Sequence, residues 1–204
     1  MANGPDSVFA SGAAHHKFIQ LVALQRTETL ESLKAEAERL QSEHALTAEE
    51  VAFLDFDALA AFWQSNLGNR IRAQSASVHS ELPFTARFSH DELSAAEISF
   101  STPPNPDQPN LAHSAPRAPH TGLAEEFIVV QGVADLVVLL AKEIWIVDFK
   151  TDAVRGKQLD ERAKSYEIQM KLYARALARI YNRPVSQCWL YFLSVGRALP
   201  LRGE

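Results

Sequence analysis

The sequence predicts an α/β fold: a mixed central sheet flanked by helices, with a helical part in front of it. Three observations point there. The first third carries helical apolar periodicity, two nearly continuous apolar runs of strand length are joined by a short turn, and a long amphipathic helix precedes one more apolar run. Length agrees, because 204 residues match one compact domain of about 100–200. Residues 1–204 are therefore expected to form a single domain, with a helical part over 1–75 and an α/β core over 81–200. Hydrophobic residues at 47%, charged residues at 22%, 8 Gly and 10 Pro are the balance of a globular chain and exclude a disordered or fibrous one.

From about His15 to His44, Phe18, Leu21, Leu24, Leu30, Leu33 and Leu40 recur at helical spacing among many Glu, an amphipathic helix or helical pair. Thr47 and Glu50 form a capping-box pattern before Phe53, Leu54, Leu59, Phe62, Trp63 and Leu67, with Gly68 expected to end or interrupt the helix. These aromatics read as core. Alternating Phe84, Ala86 and Phe88 mark a strand. Residues 101–122 hold six of the ten prolines and read as a surface loop between two strands, its His113 and His120 as solvated loop histidines. The runs 127–140 and 144–151 are apolar at nearly every position, as in strands covered on both faces. A helix over about Gln158–Tyr181 stops near Asn182 and Pro184, and 187–193 is a last buried strand.

The net charge of -5 gives no overall basic surface, but it is an average. Residues 28–57 carry nine acids against Lys34 and Arg39, whereas 142–183 carry ten bases against six acids. Lys157, Lys164, Lys171 and Arg175 are the candidates there for phosphate contacts, with a solvated helix face as the alternative for each. The single Cys188 excludes an internal disulfide and any four-cysteine centre, and fits a reducing compartment. No secretory leader and no run of about 18 apolar residues is present. A cytoplasmic protein without a membrane partner is expected.

The chemistry is concentrated at one place. A tight hairpin centred between Ala141 and Lys142 makes opposed residues add to 283, which sets Asp135 opposite Asp148 at a Cα separation of about 4.5–5.5 Å. Lys150 lies two residues on, on the same face. Two carboxylates in an apolar sheet repel and lose hydration, which costs several kcal/mol unless a counter-charge is present. Either the trio is a structural ion cluster or it holds a divalent cation; Mg2+ suits hard oxygen ligands. Gly132, three residues before Asp135, permits close approach of another group. On the long helix Tyr166, Gln169, Tyr173 and Ile180 share one face, and a Gln between two Tyr needs hydrogen-bond partners.

Gly132-Val133-Ala134-Asp135, Asp148-Phe149-Lys150-Thr151-Asp152 and Tyr166-Glu167-Ile168-Gln169 with Tyr173 resemble the GxxD, DxK-T-D and Y-x-x-Q-x-x-x-Y series of PD-(D/E)XK nucleases. More narrowly, the set is similar to the C-terminal nuclease domain of RecB and AddA helicase-nucleases. That family also carries a histidine four residues after a glycine in an early helix; Gly12 selects His16, with His15 the second candidate. Glu81-Leu82-Pro83-Phe84 resembles the E-x-P-F opening of its first core strand.

The resemblance implies a restriction-endonuclease-like core and Mg2+-dependent, exonuclease-like hydrolysis of DNA phosphodiester bonds, with Mn2+ as a substitute metal and no iron–sulfur cluster. His16, Asp135 and Asp148 would be metal ligands, with the Phe149 backbone carbonyl completing the protein shell. Asp135, Asp148 and Lys150 would be catalytic. Gln169, Tyr173, Tyr166, Thr151 and Lys157 would support the site or touch DNA, and Glu81 ranks below the others as a structural partner. Implied partners are linear DNA, single-stranded or at duplex ends, and a helicase motor domain or subunit. No G-x-x-x-x-G-K-[ST] loop occurs in the sequence, so the chain is either a stand-alone nuclease or a piece of a longer protein. The alternative reading is a nuclease-fold DNA-binding or scaffolding module whose site is unused.

Overall fold

The computed structural model describes residues 5–94, 127–152, 154 and 156–201; the Pro-rich segment 101–122 lies outside them. In chain order the elements are α1 (Pro5–Leu21), α2 (Leu30–Ser42), α3 (Ala48–Ala52), α4 (Phe56–Gln64), α5 (Asn66–Arg72), β1 (Val78–Ser89), α6 (His90–Ser94), β2 (Phe127–Leu139), β3 (Ile144–Lys150), α7 (Lys157–Tyr181), β4 (Val185–Phe192) and β5 (Arg197–Leu201). The strands form one sheet in sequence order. Only β3 and β4, joined through α7, pair in parallel, so the sheet is mixed and helix-flanked as expected.

Each face of the sheet supports its own core. On one side Leu136, Val138, Val147, Phe149 and Tyr191 pack with Phe18, Leu33, Phe62 and Trp63 of the helical part. On the other, Val137, Ile144, Ile146 and Leu190 pack with Leu159, Met170, Ala176 and Leu177 of α7. This two-sided burial is why β3 is buried from Ile144 to Phe149 and reads as continuously apolar.

The region 15–44 is a helical pair, and α1 is already helical at Pro5, ten residues before the expected start. The Thr47–Glu50 capping box forms in full. The block it opens breaks first between α3 and α4, where Asp55 caps α4, and then at Ser65 rather than Gly68: extended Ser65 caps the end of α4 and the start of α5, its hydroxyl accepting from the Gly68 amide. Gly68 is inside α5, where a Cβ would stand 2.3 Å from the Phe62 carbonyl oxygen and 2.7 Å from Trp63 Cα. The missing side chain lets α5 press against α4.

The hairpin register is the expected one, with Leu136↔Val147, Val137↔Ile146, Val138↔Trp145 and Leu139↔Ile144 opposed. Burial of β2 on both faces holds only near those rungs. Earlier in the strand β2 pairs with β1 alone, and Phe127, Val129 and Val133 stay exposed on the uncovered face. Helix α7 ends on left-handed Asn182; Ile180, expected on the face shared by Tyr166 and Tyr173, is exposed. The sequence reading includes neither α6 nor β5, whose described parts, His90–Ser94 and Arg197–Leu201, carry too little periodicity. Gly68→Ala is expected to destabilise the fold by about 1–3 kcal/mol through overpacking, read as a lower urea midpoint at unchanged slope.

Candidate active site at the end of the β2–β3 ladder

The ladder between β2 and β3 stops at Leu136↔Val147. At the next position the Asp135 side chain takes over, its Oδ2 accepting from the Phe149 amide at 2.7 Å. On the other side of β2 the rung between Glu81 and Asp135 is also missing, and Glu81 has φ 49°, a left-handed conformation that costs a side-chain-bearing residue about 1–3 kcal/mol. Both strands exchange faces there: Val78 and Leu136 pack on the helical part, Leu82 and Ala134 on the α7 side. Three acids thus gather where the regular sheet gives way.

Helix α1 delivers the histidine. His15 is buried between two backbone groups, its Nδ1 donating to Ser11 O at 2.7 Å and its Nε2 accepting from Asp55 N at 2.9 Å. Lys17 Nζ donates to Glu50 at 2.8 Å and 2.9 Å. These neighbours fix the rotation of α1 about its axis, so His16 points the other way, to the sheet. Its Nδ1 lies 3.4 Å from Asp135 Oδ2 and 3.9 Å from Glu81 Oε1. Gly12 explains the glycine one turn earlier: a Cβ there would meet Thr151 Oγ1 at 2.9 Å, so its absence lets α1 close on the end of β3. His15 is structural, and Thr151 serves as the surface on which α1 seats.

Asp148 is 2% exposed. Lys150 Nζ stands 2.6 Å from its Oδ2, an ion pair that answers this buried carboxylate. Burial, and then the Asp135 charge, push the Asp148 carboxyl up to about 6, with Lys150 opposing. Burial also raises Glu81, with Asp135 adding to the effect. His16 is raised chiefly by its contact with Asp135. The site is a crowd of acids short of positive charge.

Potential ligand atoms of His16, Glu81 and Asp135 lie within 4.8 Å of one another. Atoms around one cation at about 2.0–2.6 Å from it are at most about 4–5 Å apart, so the set fits a divalent ion, and the donors are the hard oxygens and imidazole such an ion takes. Asp148 is not part of that group of three among the described residues; its Oδ2 is held by Lys150. Glu81, ranked low from sequence, is a full member of this cluster; its sign in the sequence was an acid just before a proline-containing strand segment.

Gln169 Nε2 donates to Tyr173 OH at 3.0 Å. Tyr173 packs edge-on against Phe84, and Gly132 is small because both rings lie over it, 2.7 Å and 3.0 Å from where its Cβ would be. The Tyr166 ring covers Lys150 Nζ at 4.1 Å. Phe149 is buried, its ring edge-on to Phe62. Among the basic candidates, Lys157 and Lys164 are exposed on α7, whereas Lys171 pairs with Glu167 and Arg175 donates to the Glu92 carbonyl; Arg175 is thereby engaged in holding α7 to α6.

Between pH 4 and 6 the folded chain keeps a proton on Asp148 that the unfolded chain has released, so ionisation costs stability as pH rises through that window. Asp148→Asn is expected to stabilise the metal-free protein by about 1–3 kcal/mol at pH 7.5, with the gain vanishing near pH 4 in denaturant melts.

A family model of the PD-(D/E)XK nuclease superfamily matches residues 4–199. The chain is 32% identical over 184 residues to an ATP-dependent helicase/nuclease subunit of Carboxydothermus hydrogenoformans, covering 90% of this chain and 14% of that protein. It is 31% identical to the subunit of the same name from Moorella thermoacetica, covering 91% and 11%, and 31% identical to that of Bacillus cytotoxicus, covering 89% and 13%. The chain thus spans about one seventh of the length of these relatives or less. With its fold, motif order and gathered acids all in agreement, the chain belongs to the PD-(D/E)XK nuclease superfamily.

Proposed function

We propose that residues 1–204 act as one nuclease module, a metal-dependent, exonuclease-like deoxyribonuclease of RecB/AddA type. The observation that carries this reading is the convergence of His16, Glu81, Asp135, Asp148 and Lys150 at the end of one strand ladder, in a chain of nuclease ancestry. A cluster of three acids, one of them 2% exposed, is costly on its own and favourable around a cation.

His16, Asp135 and Asp148 would hold Mg2+, with Mn2+ as a substitute and with Glu81 and the Phe149 carbonyl contributing. A divalent ion bound there supplies charge for a phosphate oxygen and lowers the pKa of water. Lys150 adds a positive charge beside the reacting phosphate, where it stabilises the developing negative charge. His16 would ligate as the neutral imidazole, so its contact with Asp135, which favours the protonated form, would be given up on metal binding. Exposed Lys157 and Lys164 would track the DNA backbone. The proposed substrate is linear DNA, single-stranded or at duplex ends, delivered by a helicase motor domain or subunit, in the cytoplasm. No described helix is long and apolar enough to cross a membrane.

Purified chain is expected to degrade linear DNA with Mg2+ or Mn2+ and not with EDTA, and Asp148→Ala and Lys150→Ala should each lose at least about 10²-fold in rate. Binding of Mn2+ with no degradation would favour a DNA-binding or scaffolding module instead. In Mn2+ calorimetry, Asp135→Ala and His16→Ala should each weaken affinity by more than about tenfold, the loss that even outer-shell partners produce; unchanged affinity would place the metal elsewhere.

A further inference from the structure

Lys150 has two neighbours of different kinds. Asp148 Oδ2 lies 2.6 Å from its Nζ, and on the other side the Tyr166 ring centroid lies 4.1 Å away. The ring is itself held. Tyr166 OH donates to Asp152 Oδ2 at 2.9 Å, while Arg162 sends Nε and Nη2 to Asp152 Oδ1 at 3.1 Å and 3.0 Å. Arg162 also lies over the Tyr166 ring at 5.4 Å, and Ser194 Oγ donates to the Asp152 carbonyl at 2.5 Å. The brace therefore joins the segment after β3, the first turns of α7 and the segment after β4.

The two neighbours do not serve equally when the site is occupied. Asp148 is the carboxylate that Lys150 would share with a cation, and a carboxylate drawn toward a divalent ion attracts an ammonium less, while the ion repels it. The face of an aromatic ring attracts an ammonium through its quadrupole and competes poorly as a ligand for a hard cation. We infer that Tyr166 is a positioning residue: its ring, braced by Asp152 and Arg162, keeps the Lys150 ammonium at the site independently of Asp148. The inference rests on the nuclease reading for its catalytic consequence but not for its geometry.

The test uses the full chain with 13C-labelled lysine, the Lys150 signal being assigned with Lys150→Arg. A methylene beside an aromatic face resonates upfield. In metal-free protein the Lys150 ε-methylene is expected upfield in the wild type, in Tyr166→Phe, which keeps the ring, and in Asp148→Asn, and to lose that shift in Tyr166→Leu. With Mg2+ and single-stranded DNA, Tyr166→Leu should lower kcat about 10–100-fold with KM little changed, the usual cost of a misplaced group, and Tyr166→Phe should restore most of the rate.

Loss of the upfield shift in Asp148→Asn would overturn the inference, because Asp148 would then be the anchor. So would an unchanged kcat in Tyr166→Leu, or a raised KM at constant kcat, which would make Tyr166 a DNA contact. A wild type that shows the shift but cuts no DNA would sink the nuclease reading and leave the positioning geometry standing.

Discussion

The carboxylate of Asp135 stands in for a rung of the sheet. By accepting the Phe149 amide it satisfies a backbone donor that the strand ladder no longer reaches, and an unsatisfied buried amide would cost about 1–3 kcal/mol. Pairing with β3 can therefore end inside a continuous sheet without penalty. The site depends on that substitution, since it fixes Asp135 beside Asp148 and leaves the rest of the cleft to side chains.

From this constraint the electrostatics follow. Holding Asp135 at β3 brings a second negative charge to buried Asp148, and compensation comes from two directions: Lys150 on the same strand and His16 from a helix across the sheet edge. Both are partial. The crowding of buried acids falls where the two cores part; buried Glu36, on the helical side, is by contrast paired with both Arg39 and Arg26. Stability is thus given up at the atoms that would hold a cation under the proposed function.

Much of this was legible in the sequence. Hairpin arithmetic gives the rungs from Leu139↔Ile144 to Leu136↔Val147 and puts Lys150 on the same face as Asp148, but not the end of the ladder before Asp135, where β1 and β2 exchange faces. Gly132 and Gly12 announced close contacts, though not with what: the rings of Phe84 and Tyr173, and the Thr151 hydroxyl, are tertiary partners that spacing cannot name. Glu81 was undervalued because its importance comes from a backbone conformation that Glu rarely takes, and the Asp152–Arg162 pair because it joins a strand exit to a helix ten residues on. Arg175 looked like a phosphate ligand by charge alone; its engagement with α6 depends on an element too short to be read.

His16 comes from the first helix of the described chain and Lys150 from the end of β3, well over a hundred residues later, with no local contact able to bring them together. Such a centre has high contact order, and long-range pairings of this kind form late because loop closure must precede them. Partly folded forms therefore lack the cluster even when each core has begun to assemble. The cluster of His16 with the acids is in this sense a reporter of completed folding, assembled only once helix α1 has seated on Thr151.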